Sequence, residues 1–147
     1  MQRKKLLNNF LNKKIVFTNG CFDIIHRGHV EYLEEAKRLG DILIIGLNSD
    51  NSVKRIKGEN RPINNEEDRK KVLLALKSVN DVIIFNEDTP LELIKKIRPN
   101  VLVKGGDWEI KNIIGAEFVI GLGGEVYSLM FREGFSTTNI IKKIAGK

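Results

Sequence analysis

The sequence predicts an α/β fold, a three-layer sandwich in which a five-stranded parallel sheet lies between helices. Three observations lead there. Short apolar runs of strand length alternate along the chain with helix-length amphipathic segments, the pattern that βαβ units impose. The run ILIIGL at 42–47 is apolar without alternation, as a strand covered on both faces should be. The 147 residues, 41% of them hydrophobic, suffice for one core and not for two, so residues 1–147 are expected to form a single domain.

The elements follow in order. Residues 5–10 can form a short leading helix. KIVFT at 14–18 is β-branched and apolar, a buried strand, and Asn19 and Gly20 punctuate its end. From 28 to 39, Val30, Leu33, Ala36 and Leu39 fit one helix face, with Gly40 placed to cap it in the left-handed conformation. The strand at 42–47 comes at once. Residues 48–65 are polar, contain the basic segment KRIKG and show no clear period, so they read as a long loop with room for one helical turn. Asn65 is a helix cap, with Asp68 three residues on, for a helix over 66–79 whose Val72, Leu73, Leu76 and Val79 share a face. Strand 81–85, helix 90–97 and strand 101–104 come next, with Pro99 at the break. Helix 111–122, strand 125–129 and a closing helix over 137–145, capped by Ser136, complete the set. Parallel strands joined by right-handed crossovers open a crevice beyond their carboxyl ends, where the winding reverses. Residues 19–29, 48–58, 105–109 and 130–138 all directly follow strands and are expected to converge there.

The net charge of +6 favours an anionic partner: nucleic acid, an acidic membrane surface or a phosphorylated small molecule. Abundant Lys, Glu and Ile with few Gln also matches heat-adapted proteins, whose charges mainly cover the surface. No apolar run approaches the roughly 20 residues that span a bilayer. The opening MQRKKLLNNFLNKK lacks the apolar core and cleavage site of a secretory signal, so a cytoplasmic location is expected. The lone Cys21 cannot form an internal disulfide, and two histidines are too few for a structural zinc site; a hard cation held by oxygen is the metal that composition leaves room for.

Both histidines fall in FTNGCFDIIHRGH at 17–29. His26 and His29 are spaced i, i+3 at the start of a helix, with about 5 to 6 Å between Cβ atoms, and can touch one anion together. The helix N-terminus adds N–H groups and a partial positive charge, and Gly28 lets a polyphosphate approach the backbone. Taken alone, the two imidazoles serve equally well as helix caps. No Ser or Cys stands in a nucleophile elbow, and Cys21 reads as a small turn residue. Phosphoryl or nucleotidyl transfer, which asks for positioning and charge neutralisation, suits these residues better than acyl transfer. GLGGE at 121–125 precedes a strand instead of following one, which excludes a dinucleotide loop.

Through TNGCFDIIHRGHVEYLEEAKRLGD, NSDNSVKRIKGENRPIN, LVKGGDW and EGFSTTNIIKKI, the chain resembles the cytidylyltransferase-like nucleotidyltransferases, whose hallmark is H-x-G-H. The likeness runs from about residue 14 to residue 143 and implies a Rossmann-like nucleotidyltransferase fold. NSDNSVKRIKGENRPIN, EDTPLELIKKIRPNVLVKGGDW and GGEVY are similar to the branch that transfers AMP from ATP to D-glycero-β-D-manno-heptose 1-phosphate. That reaction yields pyrophosphate and ADP-heptose for the lipopolysaccharide core. The chain looks like the stand-alone form of a domain otherwise fused behind a sugar kinase. Glycerol-3-phosphate cytidylyltransferases carry R-T-E-G-I-S-T-T where this chain reads FREGFSTT, with its arginine, Arg132, displaced by one position. That enzyme and FAD synthetase are the alternatives within the family. A nucleotide-sensing or nucleic-acid-binding protein is the alternative outside catalysis.

The resemblance implies roles for individual residues. His26 and His29 hold the α- and β-phosphates, and Lys57, with Lys54 second, supplies a mobile cation. Asn19, Gly20, Cys21, Phe22, Gly28, Gly105, Asp107, Ser136, Thr137 and Thr138 surround the nucleotide. Asp50 and Arg61 face the acceptor. Asp23 either supports the turn or helps hold Mg²⁺, Arg69, like Arg61, either meets the sugar phosphate or forms an ion pair inside the fold, with the structural role favoured for Arg69, and Trp108 either covers the ligand or anchors the core. The implied partners are ATP with Mg²⁺, a sugar 1-phosphate and a second copy of the chain, with no nucleic acid and no membrane.

Overall fold

The computed structural model describes residues 10, 12–130 and 136–146. The elements are β1 (Ile15–Gly20), α1 (Arg27–Lys37), β2 (Ile42–Asn48), α2 (Asp50–Lys57), α3 (Glu66–Leu74), β3 (Asp81–Phe85), α4 (Leu91–Ile97) and β4 (Val101–Gly105). A 3-10 turn (Ile110–Asn112), α5 (Ala116–Gly121), β5 (Glu125–Leu129) and α6 (Thr137–Ile144) follow. The sheet runs β3-β2-β1-β4-β5 with every neighbouring pair parallel, the expected Rossmann-like arrangement. Among the described residues no helix is long and apolar enough to cross a membrane.

Strand period 2 divides the core into two layers. On one face Leu33 and Ala36 of α1 and Leu73 of α3 pack on Val16, Leu43, Ile45 and Val82. On the other, Leu93, Ile94 and Ile97 of α4 and Ala116 and Val119 of α5 pack on Ile15, Phe17, Ile44 and Leu102. Burial of each large side chain contributes roughly 1.5 to 3 kcal/mol, so these two layers supply the main driving force for folding.

Four expectations need correction. Residues 48–65 contain a true helix: Ser49 accepts from the Ser52 N–H at its start, Asp50 sits in the first turn and Lys54, Arg55 and Lys57 in the last, charges that suit the helix dipole. The helix that begins after Asn65 ends at Leu74, and its buried stripe is Arg69 and Leu73, leaving Val72 46% exposed. Arg69 finds its acceptors inside and shares the buried face, while Leu73 and Val79 join the core as expected and Leu76 packs against it. Residues 111–122 are split, because Gly115 has φ +89 and a Cβ there would lie 2.7 Å from Ile94 Cδ1. Gly40 is no left-handed cap, since α1 closes at Arg38 in the right-handed region; a Cβ on Gly40 would meet Val16 Cγ2 at 2.7 Å. Of the leading helix expected over 5–10, only Phe10 lies within the described residues, and it packs against the core. Arg132 lies outside them.

β1 pairs with β2 along its whole length, from Ile15↔Ile42 to Gly20↔Leu47, but with β4 only at Val16↔Val101 and Phe17↔Leu102. Beyond Phe17 the two strands part. This is where the winding reverses, and the sheet opens there into the crevice.

The interior strand β2 tolerates no side chain at Gly46, where a Cβ would lie 2.7 Å from Phe17 Cζ and 3.2 Å from Leu93 Cδ2. Gly46→Ala is expected to lower the unfolding free energy by about 1 to 3 kcal/mol, read as a lower denaturant midpoint at constant m value. An unchanged midpoint would show that this layer is loosely packed.

Candidate active site

A cavity of about 500 Å³ occupies the opening between β1 and β4. Residues 19–23 form its floor, and His26 and His29 of α1 one wall. Ile56, Lys57, Arg61 and residues 88–90 line the β2/β3 side. Lys104, Gly105, Ile114 and residues 136–138 line the β4/β5 side.

The floor is held in an uncommon conformation. Phe22 has φ +45, and its ring lies over Gly20, where a Cβ would come within 2.8 Å of Phe22 Cε2. Behind this turn sits Arg69, 1% exposed. Its Nη1 donates to the carbonyls of Cys21 and Asn48 at 2.8 Å each, its Nε to Asn64 O at 3.0 Å and its Nη2 to Asp50 Oδ1 at 2.8 Å. Asp23 makes the second tie: Oδ2 accepts from Ile63 N at 2.8 Å and Arg61 Nε at 3.1 Å, and Oδ1 from Asn64 N at 2.9 Å.

Both histidines cap α1 and face the cavity. His26 Nδ1 accepts from Gly28 N at 3.1 Å, and His29 Nδ1 accepts from His26 N at 3.3 Å, a reciprocal capping box. With each Nδ1 accepting, the neutral ring carries its proton on Nε2. The rings stack with centroids 3.9 Å apart. Burial lowers the pKa of both, and for His29, with the His26 charge adding to it, to about 4. Two neutral N–H donors therefore stand at a helix N-terminus. The capping bonds are thus compatible with both rings lining the cavity.

Positive charge comes from elsewhere. Lys57 and Lys104 reach the cavity from opposite sides, and no carboxylate among the described residues pairs with either. Burial lowers the pKa of Lys104, and the charge of Lys57 lowers it further. Trp108 neither covers the cavity nor enters the core. It is 45% exposed, donates from Nε1 to Gly105 O at 3.1 Å, and sets its ring centroid 5.3 Å from the Lys104 ammonium. Burial raises the pKa of the Cys21 thiol against the pull of Lys57, Arg69 and Arg61, so it stays protonated and is no nucleophile. At the start of α6, Ser136 Oγ accepts from Asn139 N at 3.0 Å and Thr137 Oγ1 donates to Ile24 O at 3.1 Å, joining this helix to the histidine loop.

The structure thus brings together Asn19, Gly20, Cys21, Phe22, His26, His29, Lys57, Arg61, Gly105, Ser136, Thr137 and Thr138. Four expected residues stand off the cavity: Lys54, Asp107, Gly28 and Asp50. Lys54 is exposed on α2, Asp107 is exposed beyond β4, Gly28 is packed inside α1, and Asp50 is engaged by Arg69. Asp23 lines the cavity but corrects the metal assignment, because both its oxygens accept from Arg61 and backbone N–H groups. Lys104, Tyr32, Asn48 and Thr89 line it without having been singled out. Lys104 had a usable signal, a charged residue at the carboxyl end of an otherwise apolar strand. Tyr32 had none, since its Oη lies 2.6 Å from Thr18 Oγ1 within the core.

The depressed pKa of His29 makes stability depend on pH. Between the unfolded value of 6.5 and the folded value of about 4, the unfolded chain binds more protons, so stability rises with pH. The contribution is complete above about 6.5 and is lost as pH falls toward 4, with a slope of at most about 1.4 kcal/mol per pH unit. Melting temperature should fall over this window, and His29→Gln, which keeps a capping acceptor, should flatten the fall. An equally steep fall in that variant would acquit His29.

Comparison with known proteins agrees with this geometry. Residues 17–143 match the family described as Cytidylyltransferase-like. The chain is 59% identical over 134 residues to the "Bifunctional protein HldE" of Aliarcobacter butzleri (strain RM4018), a match covering 91% of this chain and 27% of that protein. It is 54% identical over 141 residues to the protein of the same name from Helicobacter pylori, covering 96% of this chain and 30% of that one. The chain therefore spans about three tenths of the length of these curated relatives. Among solved structures, the lipopolysaccharide core biosynthesis protein from Thermoplasma volcanium superposes with a TM-score of 0.65 at 30% identity, covering 82% of this chain and 98% of that one. Pantothenate synthetase from Thermus thermophilus, 16% identical with a TM-score of 0.63 over 93% of this chain and 64% of that one, shares the fold. On the match over residues 17–143, the chain belongs to the cytidylyltransferase-like family.

Proposed function

We propose that the chain is a nucleotidyltransferase that moves AMP from ATP to D-glycero-β-D-manno-heptose 1-phosphate, giving ADP-heptose and pyrophosphate. The observation that carries the transfer chemistry is the pair of neutral imidazoles at the α1 N-terminus, flanked by Lys57 and Lys104 in one cavity. The heptose is supported by the resemblance of residues 48–64, 87–108 and 123–127. It is also supported by similarity to a protein of lipopolysaccharide core biosynthesis, the pathway ADP-heptose feeds. A cytoplasmic location and a homodimer belong to the same reading.

Two substrates fit the two sides of the cavity. The triphosphate lies along the β4/β5 side, by Gly105 and the hydroxyls of Ser136, Thr137 and Thr138, and the acceptor along the β2/β3 side, by Lys57 and Arg61. An oxygen of the sugar phosphate attacks the α-phosphorus in line. The bond to the bridging oxygen breaks, and its electron pair leaves with pyrophosphate. The attacking oxygen is already ionised at neutral pH, so no general base is required. The Nε2–H groups of His26 and His29 donate to the α- and β-phosphate oxygens as charge builds there, and the lysines offset the repulsion between the two anions. Among the described residues, the carboxylates do not fit a Mg²⁺ site. Asp23 is engaged by three donors, and no group of three or more His, Cys, Asp or Glu able to hold a metal occurs among the described residues. In this reading Mg²⁺ arrives with the triphosphate.

His26→Asn and His29→Gln retain capping acceptors while removing the imidazoles. Each is expected to lower kcat by about 10² to 10³-fold with an intact fold by circular dichroism. Wild-type turnover in both would overturn the assignment. Pyrophosphate release across a panel of ATP or CTP with heptose 1-phosphate, glycerol 3-phosphate or FMN should appear with ATP and heptose 1-phosphate. Release with CTP alone would move the protein to the cytidylyl branch.

A further inference from the structure

Arg61 reaches the cavity from the segment joining α2 and α3, with its side chain 16% exposed against 1% for its partner Asp23. Only its Nε is engaged, by Asp23 Oδ2 at 3.1 Å. Among the described residues, neither Nη1 nor Nη2 of Arg61 has an acceptor. The contrast with Arg69 is direct: there all three nitrogens find oxygens. The Arg61 guanidinium is thus mostly withdrawn from water with its outer edge unmatched, a costly state unless a ligand supplies the oxygens. That edge is a planar fork whose spacing fits two oxygens of one phosphate.

Asp23 is well placed to aim it. Its other contacts are the N–H groups of Ile63 and Asn64, which flank the loop that carries Arg61, and Asn64 Nδ2 returns a bond to Asp23 O at 3.2 Å. Asp23 stands three residues before His26, so the carboxylate fixes the fork relative to the imidazoles. The pair carries no net charge. It gives direction, while Lys57 and Lys104 give charge.

We propose that Asp23 is a positioning residue, which through its single bond to Nε turns the Nη edge of Arg61 onto the phosphate monoester of the acceptor. This rests on the adenylyl-transfer reading. It accounts for why a buried carboxylate lines an anion site: it occupies the inner nitrogen and leaves the outer two.

The test pairs turnover with binding. Arg61→Ala should raise KM for heptose 1-phosphate about tenfold or more, with the Kd for ATP, measured without acceptor, unchanged. Added methylguanidinium should restore rate to Arg61→Ala but not to the Asp23→Asn/Arg61→Ala double variant, whose amide cannot hold the cation. Asp23→Asn alone should show the same KM rise, and if it fails to fold, the Arg61→Ala measurements decide. Calorimetry with inorganic phosphate reads the fork whatever the sugar: wild type should bind it about tenfold or more tighter than Arg61→Ala. Equal phosphate binding by the two, equal loss of ATP affinity, or rescue that does not need Asp23 would overturn the proposal. Phosphate binding that depends on Arg61, in a wild type that does not turn over heptose 1-phosphate, would overturn the adenylyl-transfer reading and leave the fork standing.

Discussion

A guanidinium with 1% exposure must find an oxygen for each of its nitrogens, and Arg69 finds them on four different segments. It draws together the carbonyl after β1, the carbonyl ending β2, the loop before α3 and the Asp50 carboxylate at the start of α2. The β1–β2 ladder and the Asp23 bonds to Ile63 and Asn64 hold the same segments from other sides. The loop carrying Arg61 and the turn carrying Cys21 and Phe22 become two sides of one cavity because two buried charges, Arg69 and Asp23, are satisfied between them. Arg69 shares the buried face of α3 with Leu73, and Val72 stands in solvent.

Within that frame, binding geometry and structural bonding use the same atoms. The histidines close the α1 N-terminus through Nδ1, and this fixes which nitrogen carries the proton that faces the cavity. Thr137 holds the carbonyl of Ile24 and brings the α6 N-terminus beside the histidine loop. The short β1–β4 pairing leaves the space into which all of these point. These bonds position the groups before any ligand arrives, as the proposed reaction, governed by position and charge, requires.

The charges divide the work by sign and mobility. In the proposed reaction the imidazoles, neutral through burial, serve as directional donors, whereas the two ammonium groups are point charges on flexible stems. The Trp108 ring beneath Lys104 supports that charge without neutralising it, which an acid in the same place would not do.

Much of the architecture was legible in one dimension. The five strands and the α1 and α6 starts follow from apolar runs, caps and turn residues, all of which act over a few positions. The histidine pair and the hydroxyls at 136–138 were legible too, since the motif sits where a parallel sheet places ligands. Local signals also existed for α2, in Ser49 and the basic last turn, but its polar surface masked them. What local pattern could not decide was which charged residues face the ligand and which face one another. Asp50 and Asp23 look alike in the sequence as carboxylates just after strands, and Arg69 looks like one more charged residue of a helix. Their different fates depend on hydrogen-bond partners up to 48 residues away, and so does the selection of Lys104 over Asp107 as a wall of the cavity. Short-range preference sets the elements and their order. Only the folded chain, by satisfying its buried charges, sorts structural ions from those left for a ligand.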